Sequence, residues 1–136
     1  MVDTQNMFGS RIARHAAALG GAVLASGFSA SGALALSVSF AWCPAGSPNF
    51  ELRDVPQGTT TLQFAMTDLD KPSFHHGGGA VGFRGQPEVP CDAFGTGFVG
   101  PAPPPGEIHT YEFTIKALGP SGAVLATTTA RRKFPE

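Results

Sequence analysis

The stretch HTYEFTIKAL, residues 109–118, alternates strictly between polar and apolar side chains. On an extended backbone this repeat of two puts Tyr111, Phe113, Ile115 and Ala117 on one side and Thr110, Glu112, Thr114 and Lys116 on the other; a helix would scatter them. An apolar strand face must be covered by a second layer. TTLQFAMTDLD (60–70) repeats the pattern with Leu62, Phe64 and Met66, and SVSFAW (37–42) with Val38, Phe40 and Trp42. NFEL (49–52) and AVLATTTA (123–130) add two further extended runs, and VPQGTT (55–60) and GPSG (119–122) supply turns. No segment after residue 35 has a helical period. With 18 glycines and 12 prolines among 136 residues, 42% hydrophobic and only 14% charged, the chain is expected to form an all-β antiparallel sandwich with little helix. The net charge of −1 comes with no stripe of Lys and Arg, which excludes nucleic acid as a partner. The closing ARRK (130–133) reads as a solvated tail.

Residues 1–35 differ in kind. Arg11 and Arg14 precede a run rich in Ala, Gly and Leu that ends in Ala33-Leu34-Ala35. A basic start, an apolar centre and small residues at −3 and −1 are the order of a secretory signal, and the run is too dilute in apolar residues for a retained membrane span. The expectation is cleavage after Ala35 and a mildly acidic domain over 36–136 in the periplasm or outside the cell, with no integral membrane span left. Cys43 and Cys91 then enter an oxidising compartment, where a disulfide between them persists if the fold brings them together.

Ionisable residues stand at the ends of two apolar faces. The row Leu62, Phe64, Met66 runs on into Asp68 and Asp70, and the row Ile115, Phe113, Tyr111 runs back into His109. If both ends share one rim of the sandwich, they frame a polar pocket with an apolar floor. Asp68 and Asp70 are suited to binding a cation, sharing a proton or anchoring loop backbone, the last being the commonest role of Asp-x-Asp before a proline. Adjacent His75 and His76 point to opposite faces of an extended chain, so one of them at most joins the pocket. No His-x-His, HExxH or CxxC spacing marks a metal site. No Gly-x-Ser-x-Gly elbow marks a hydrolase, and Gly77-Gly78-Gly79 lacks the lysine of a phosphate loop. No cofactor is expected.

GFVGPAPPPGEIHTYEF (97–113) sets a proline-stiffened loop directly before His109 and Tyr111. Together with SPNFELRDVPQGTTTLQFAMTDLDKP (47–72) and FHHGGGAVGF (74–83), it resembles the phosphatidylethanolamine-binding protein family, especially its bacterial Raf-kinase-inhibitor-like branch. The family patterns concerned are Asp-Pro-Asp-x-Pro and a Gly-Pro-x-Pro-Pro-x-Gly loop followed by His-x-Tyr-x-Phe. The resemblance implies a trimmed member with a pocket for phosphate-like anions or phospholipid headgroups. Asp68 and Asp70 would stand on the acidic positions, His76 on the pocket histidine of the middle segment, Pro103 and Pro104 in the loop, and His109 and Tyr111 on its His-x-Tyr. The prolines would hold one wall in a single shape, so that binding orders little. Three departures stand out. Leu69 replaces the central proline of the acidic motif, which predicts a looser turn. HHGGG lacks the apolar strand that usually follows the histidine. The segment after Leu118 is too short for an extra helix. The reading is an exported, non-catalytic anion-binding protein. The alternatives are an immunoglobulin- or fibronectin-like adhesive module and a small hydrolase using His76 or His109 as base.

Overall fold

Every apolar run found its opposite layer. The computed structural model describes Gly32 and residues 34–136, so the leader expected over 1–35 lies almost wholly outside the described residues. These hold seven strands: β1 (Ser37–Ala41), β2 (Asn49–Arg53), β3 (Thr61–Asp68), β4 (His75–Gly82), β5 (Glu88–Val89), β6 (His109–Leu118) and β7 (Val124–Phe134). A short 3-10 turn, Gly95–Gly97, is their one helical element. Two antiparallel sheets result, one ordered β1-β2-β5 and the other β4-β3-β6-β7. No helix among the described residues is long and apolar enough to cross a membrane.

The inward sides are the ones the alternation marks. Val38, Phe40, Phe50, Leu52, Leu62, Phe64, Met66, Phe113 and Ile115 are buried. Phe50 lies at the centre, its ring 4.6 Å from Phe64 and 5.0 Å from Phe113, which in turn meets Phe40 at 5.1 Å. Each such ring removes a large apolar area from water, and the offset and edge-on contacts add to that burial. Trp42, just past β1, packs edge-on against Tyr111 at 5.7 Å and sends its indole N–H to the Lys133 carbonyl at 2.7 Å.

Two expectations are corrected. ARRK is not a tail: Ala130–Lys133 continue β7, pairing Phe113 with Ala130, Glu112 with Arg131 and Thr110 with Lys133. The ten-residue β6 offers a free hydrogen-bonding edge to its very start, and the charges match it, with Arg131 on Glu112 at 2.5 Å and Arg132 donating to the Phe40 carbonyl at 2.6 Å. The glycine run is a strand as well. Gly78, Gly79 and Ala80 of β4 pair with Ala65, Phe64 and Gln63 of β3. Side-chain patterning could not announce this strand, because close packing is what selects its residues. A β-carbon on Gly78 would fall 1.9 Å from the Phe64 carbonyl oxygen, and one on Gly79 would fall 2.6 Å from Cβ of Phe94.

As the short segment after Leu118 implies, β6 and β7 are joined by a tight turn, in which Gly119 N–H donates to the Ala123 carbonyl at 2.9 Å. Cys43 and Cys91 form a disulfide with a Cα–Cα distance of 6.0 Å. It ties the end of β1 to the segment that carries Phe94 onto β4.

Candidate functional site

β3 ends at Asp68 beside the start of β6, since Asp68 pairs with Tyr111 in the register. The two apolar rows therefore reach one rim, and their ionisable ends meet. Asp68 Oδ2 accepts a hydrogen bond from His109 Nδ1 at 2.6 Å. Its Oδ1 accepts the backbone N–H groups of Asp70 at 2.9 Å and Lys71 at 3.0 Å. Of the three roles open to the aspartates, anchoring loop backbone is the one observed, for Asp70 Oδ2 likewise accepts the Thr110 N–H at 2.6 Å. Across Leu69 the turn is closed from within by the Asp68 carboxylate.

His109 gives its second ring nitrogen to Glu107, with Nε2 2.9 Å from Oε2. Two carboxylates on one imidazole require both nitrogens to carry protons. The hydrogen bond to Asp68, then that to Glu107, raise the His109 pKa above its ordinary value, against opposing desolvation. For Asp68, burial works to raise the acid, but the His109 hydrogen bond and the Asp70 and Lys71 amides outweigh it and hold the carboxyl below its usual range.

His76 reaches the same place by another route. Between the pairs Ala65–Gly78 and Thr67–His75 the register slips, so His76 and Gly77 together oppose Met66 alone. Gly77 takes φ of 71°, a conformation natural to glycine, and a β-carbon there would lie 2.1 Å from the Gly97 carbonyl oxygen. The bulge leaves His75 exposed and turns His76 inward, where it is 3% exposed. The proline-rich loop receives it: Val99 N–H donates to the His76 carbonyl at 2.8 Å, and His76 Nδ1 meets the Val99 carbonyl at 2.9 Å. A carbonyl only accepts, so Nδ1 carries the hydrogen, and Nε2 makes no hydrogen bond among the described residues.

Between these elements lies a cavity of about 230 Å³ lined by Asp68, Lys71, Phe74, His76, Ala102, Pro104 and His109. Four of the seven residues expected at the site, Asp68, His76, Pro104 and His109, line it. Asp70 stands outside as a latch on Thr110, and half-buried Pro103 is not in the lining. Tyr111 is fully buried behind the histidines, its ring 5.4 Å from His76 and 6.3 Å from His109. It is not in the lining. Its hydroxyl is buried without a hydrogen-bond partner, while burial and then the Asp68 charge push the phenol pKa up to about 12. Sequence reasoning missed Lys71, Phe74, Ala102 and Glu107. Only Glu107 carried a signal, standing two residues before His109 on the same parity.

Asp68, Asp70 and His109 also bring one potential ligand atom each within 4.8 Å of one another. The hydrogen bonds above already engage these groups with one another and with backbone.

An antiparallel sandwich with two buried histidines and a proline-stiffened loop around one rim cavity defines a small β-sandwich protein of binding type. The model of the phosphatidylethanolamine-binding protein family matches residues 15–135, and the chain belongs to that family. No curated protein matches the sequence.

Proposed function

We propose that the rim cavity binds a phosphate-like anion, free or as a phospholipid headgroup, and that the chain is an exported, non-catalytic binding protein. The observation that carries this is the way two imidazoles border one cavity, each pinned through Nδ1, His76 on Val99 and His109 on Asp68. A pinned ring holds its Nε2 at a fixed position, that of His76 without a partner among the described residues and that of His109 on Glu107, which an anion would replace, so donation to an anion orders little. Lys71 adds a cationic group to the lining. At about 230 Å³ the cavity is smaller than the roughly 300–1,000 Å³ clefts that enclose drug-sized ligands, which favours a small headgroup. Against a hydrolase, a doubly protonated His109 cannot serve as a base, and with no serine or cysteine in the lining His76 has no nucleophilic side chain there to activate. Export is favoured by the leader-like order of residues 1–35 and by a disulfide, which suits an oxidising compartment.

Because His76 Nδ1 already donates to the Val99 carbonyl, the ring donates to an anion through Nε2 only when that nitrogen carries a proton as well. Phosphate binding should therefore be accompanied by proton uptake and should weaken as pH rises. Calorimetry with phosphate and phosphoethanolamine, in buffers of different ionisation enthalpy, reads both affinity and proton uptake. NMR titration should show His76 and His109 moving together, and His76→Ala and His109→Ala should each weaken binding at least tenfold. Unchanged affinity in both variants, or no binding by the native protein at millimolar ligand, would sink the proposal.

A further inference from the structure

We propose that Glu107 is a built-in competitor for the His109 donor: its carboxylate sits on the Nε2–H that an incoming anion must use, and it thereby decides which anions bind. The inference rests on the pocket reading above. The two carboxylates on His109 are held differently. Asp68 is buried, accepts two backbone amides besides His109, and cannot leave without undoing the turn. The Glu107 side chain is 58% exposed, does not line the cavity, and makes its one hydrogen bond among the described residues to Nε2, at 2.9 Å. Its backbone is nonetheless fixed, with N–H on the Pro104 carbonyl at 3.0 Å and Gly106 turning at φ of 86°. A carboxylate on a short, anchored tether meets its partner at an effective concentration of about millimolar or more.

The chemical consequence is selection. A free carboxylate offers His109 nothing that Glu107 does not already supply, and gains little by displacing it. A phosphate group is tetrahedral and directs its oxygens in several directions, enough to reach His76 or Lys71 at the same time as Nε2. Glu107 therefore acts as a specificity-determining residue, screening out monocarboxylates and admitting phosphate-like anions. Once displaced, it has open solvent to swing into.

The test compares native protein, Glu107→Gln and Glu107→Asp at pH 6, following the His76 and His109 ring signals against inorganic phosphate and against acetate at constant ionic strength. Glu107→Asp is the informative variant, since it keeps the charge but shortens the reach to Nε2. Both variants should bind phosphate about tenfold tighter than native protein, and both should respond to acetate at concentrations where native protein does not. Binding by the variants alone would support the competitor equally. Unchanged affinity in both variants overturns it and leaves the pocket reading intact. So does a gain confined to Glu107→Gln, which would reveal a general charge effect without occupancy. If native protein and both variants all fail to bind phosphate, the pocket reading falls and the competitor with it.

Discussion

His76 and His109 border one cavity but are made by opposite means. His109 opens a regular strand, in register and on the parity its neighbours dictate, and is governed by charge: Asp68 and Glu107 fix its position and keep it protonated. His76 sits on a bulge and is governed by backbone: Gly77 turns it, and Val99 holds both its carbonyl and its ring. One histidine thus has its charge set by the fold. The other has its orientation set and its Nε2 left to respond to a ligand.

Breaking the backbone side should have the largest effect. Gly78→Ala places a methyl group 1.9 Å from the Phe64 carbonyl oxygen, and neither neighbour is a side chain able to swing away. Loss of about 3 kcal/mol or more is expected, at the upper end of overpacking costs, read by urea unfolding. Lys116→Ala, on the exposed side of β6, should stay within about 0.5 kcal/mol of native. A Gly78→Ala protein as stable as native would show that β4 is not pressed against β3 as described.

The disulfide supports the same side. Replacing Cys43 and Cys91 by serine releases the segment that presses Phe94 onto Gly79, and should lower stability by about 2–4 kcal/mol in the loop-entropy account. The contrast between the histidines sharpens it. His76 signals should shift and broaden, whereas those of His109, anchored by Asp68 within the four-stranded sheet, should hardly move. Equal disturbance of both histidines would mean that the two halves of the site are not held independently.

The same contrast explains what could be read from the chain. Strands β1, β2, β3, β6 and most of β7 carry their orientation in side-chain alternation, so they and their inward rows were legible, as was the meeting of Asp68 with His109 at one rim. β4 was not, because its glycines are chosen for how near another backbone comes, and a missing side chain leaves no pattern. The last residues of β7 looked like a tail because their charges are matched only by Glu112 on a strand distant in sequence. The proline-rich loop was noticed as a rigid wall; that its first half clasps His76 through Val99 depends on a pairing no local pattern encodes.

The smallest effect concerns the shape of a stability curve, and it isolates the charge side. Asp68 titrates below its unfolded-state value of 3.8 in the folded protein, so its contribution is complete above about that pH and is lost as pH falls through the lower folded value. His109 titrates above its unfolded-state value of 6.5, so its contribution is complete below about that pH and is lost as pH rises through the higher folded value. The pair is thus at full strength between these two pH values and fades at both ends. Asp68→Asn is the suitable probe, since an amide oxygen can still accept the Asp70 and Lys71 amides and keep the turn closed. The stability difference between native protein and this variant, measured by urea unfolding from pH 3 to 9, should be widest in that window and narrow on either side. The His109 ring should titrate at lower pH in the variant. A difference independent of pH would mean that Asp68 acts through the turn alone and that the charge of His109 is set elsewhere.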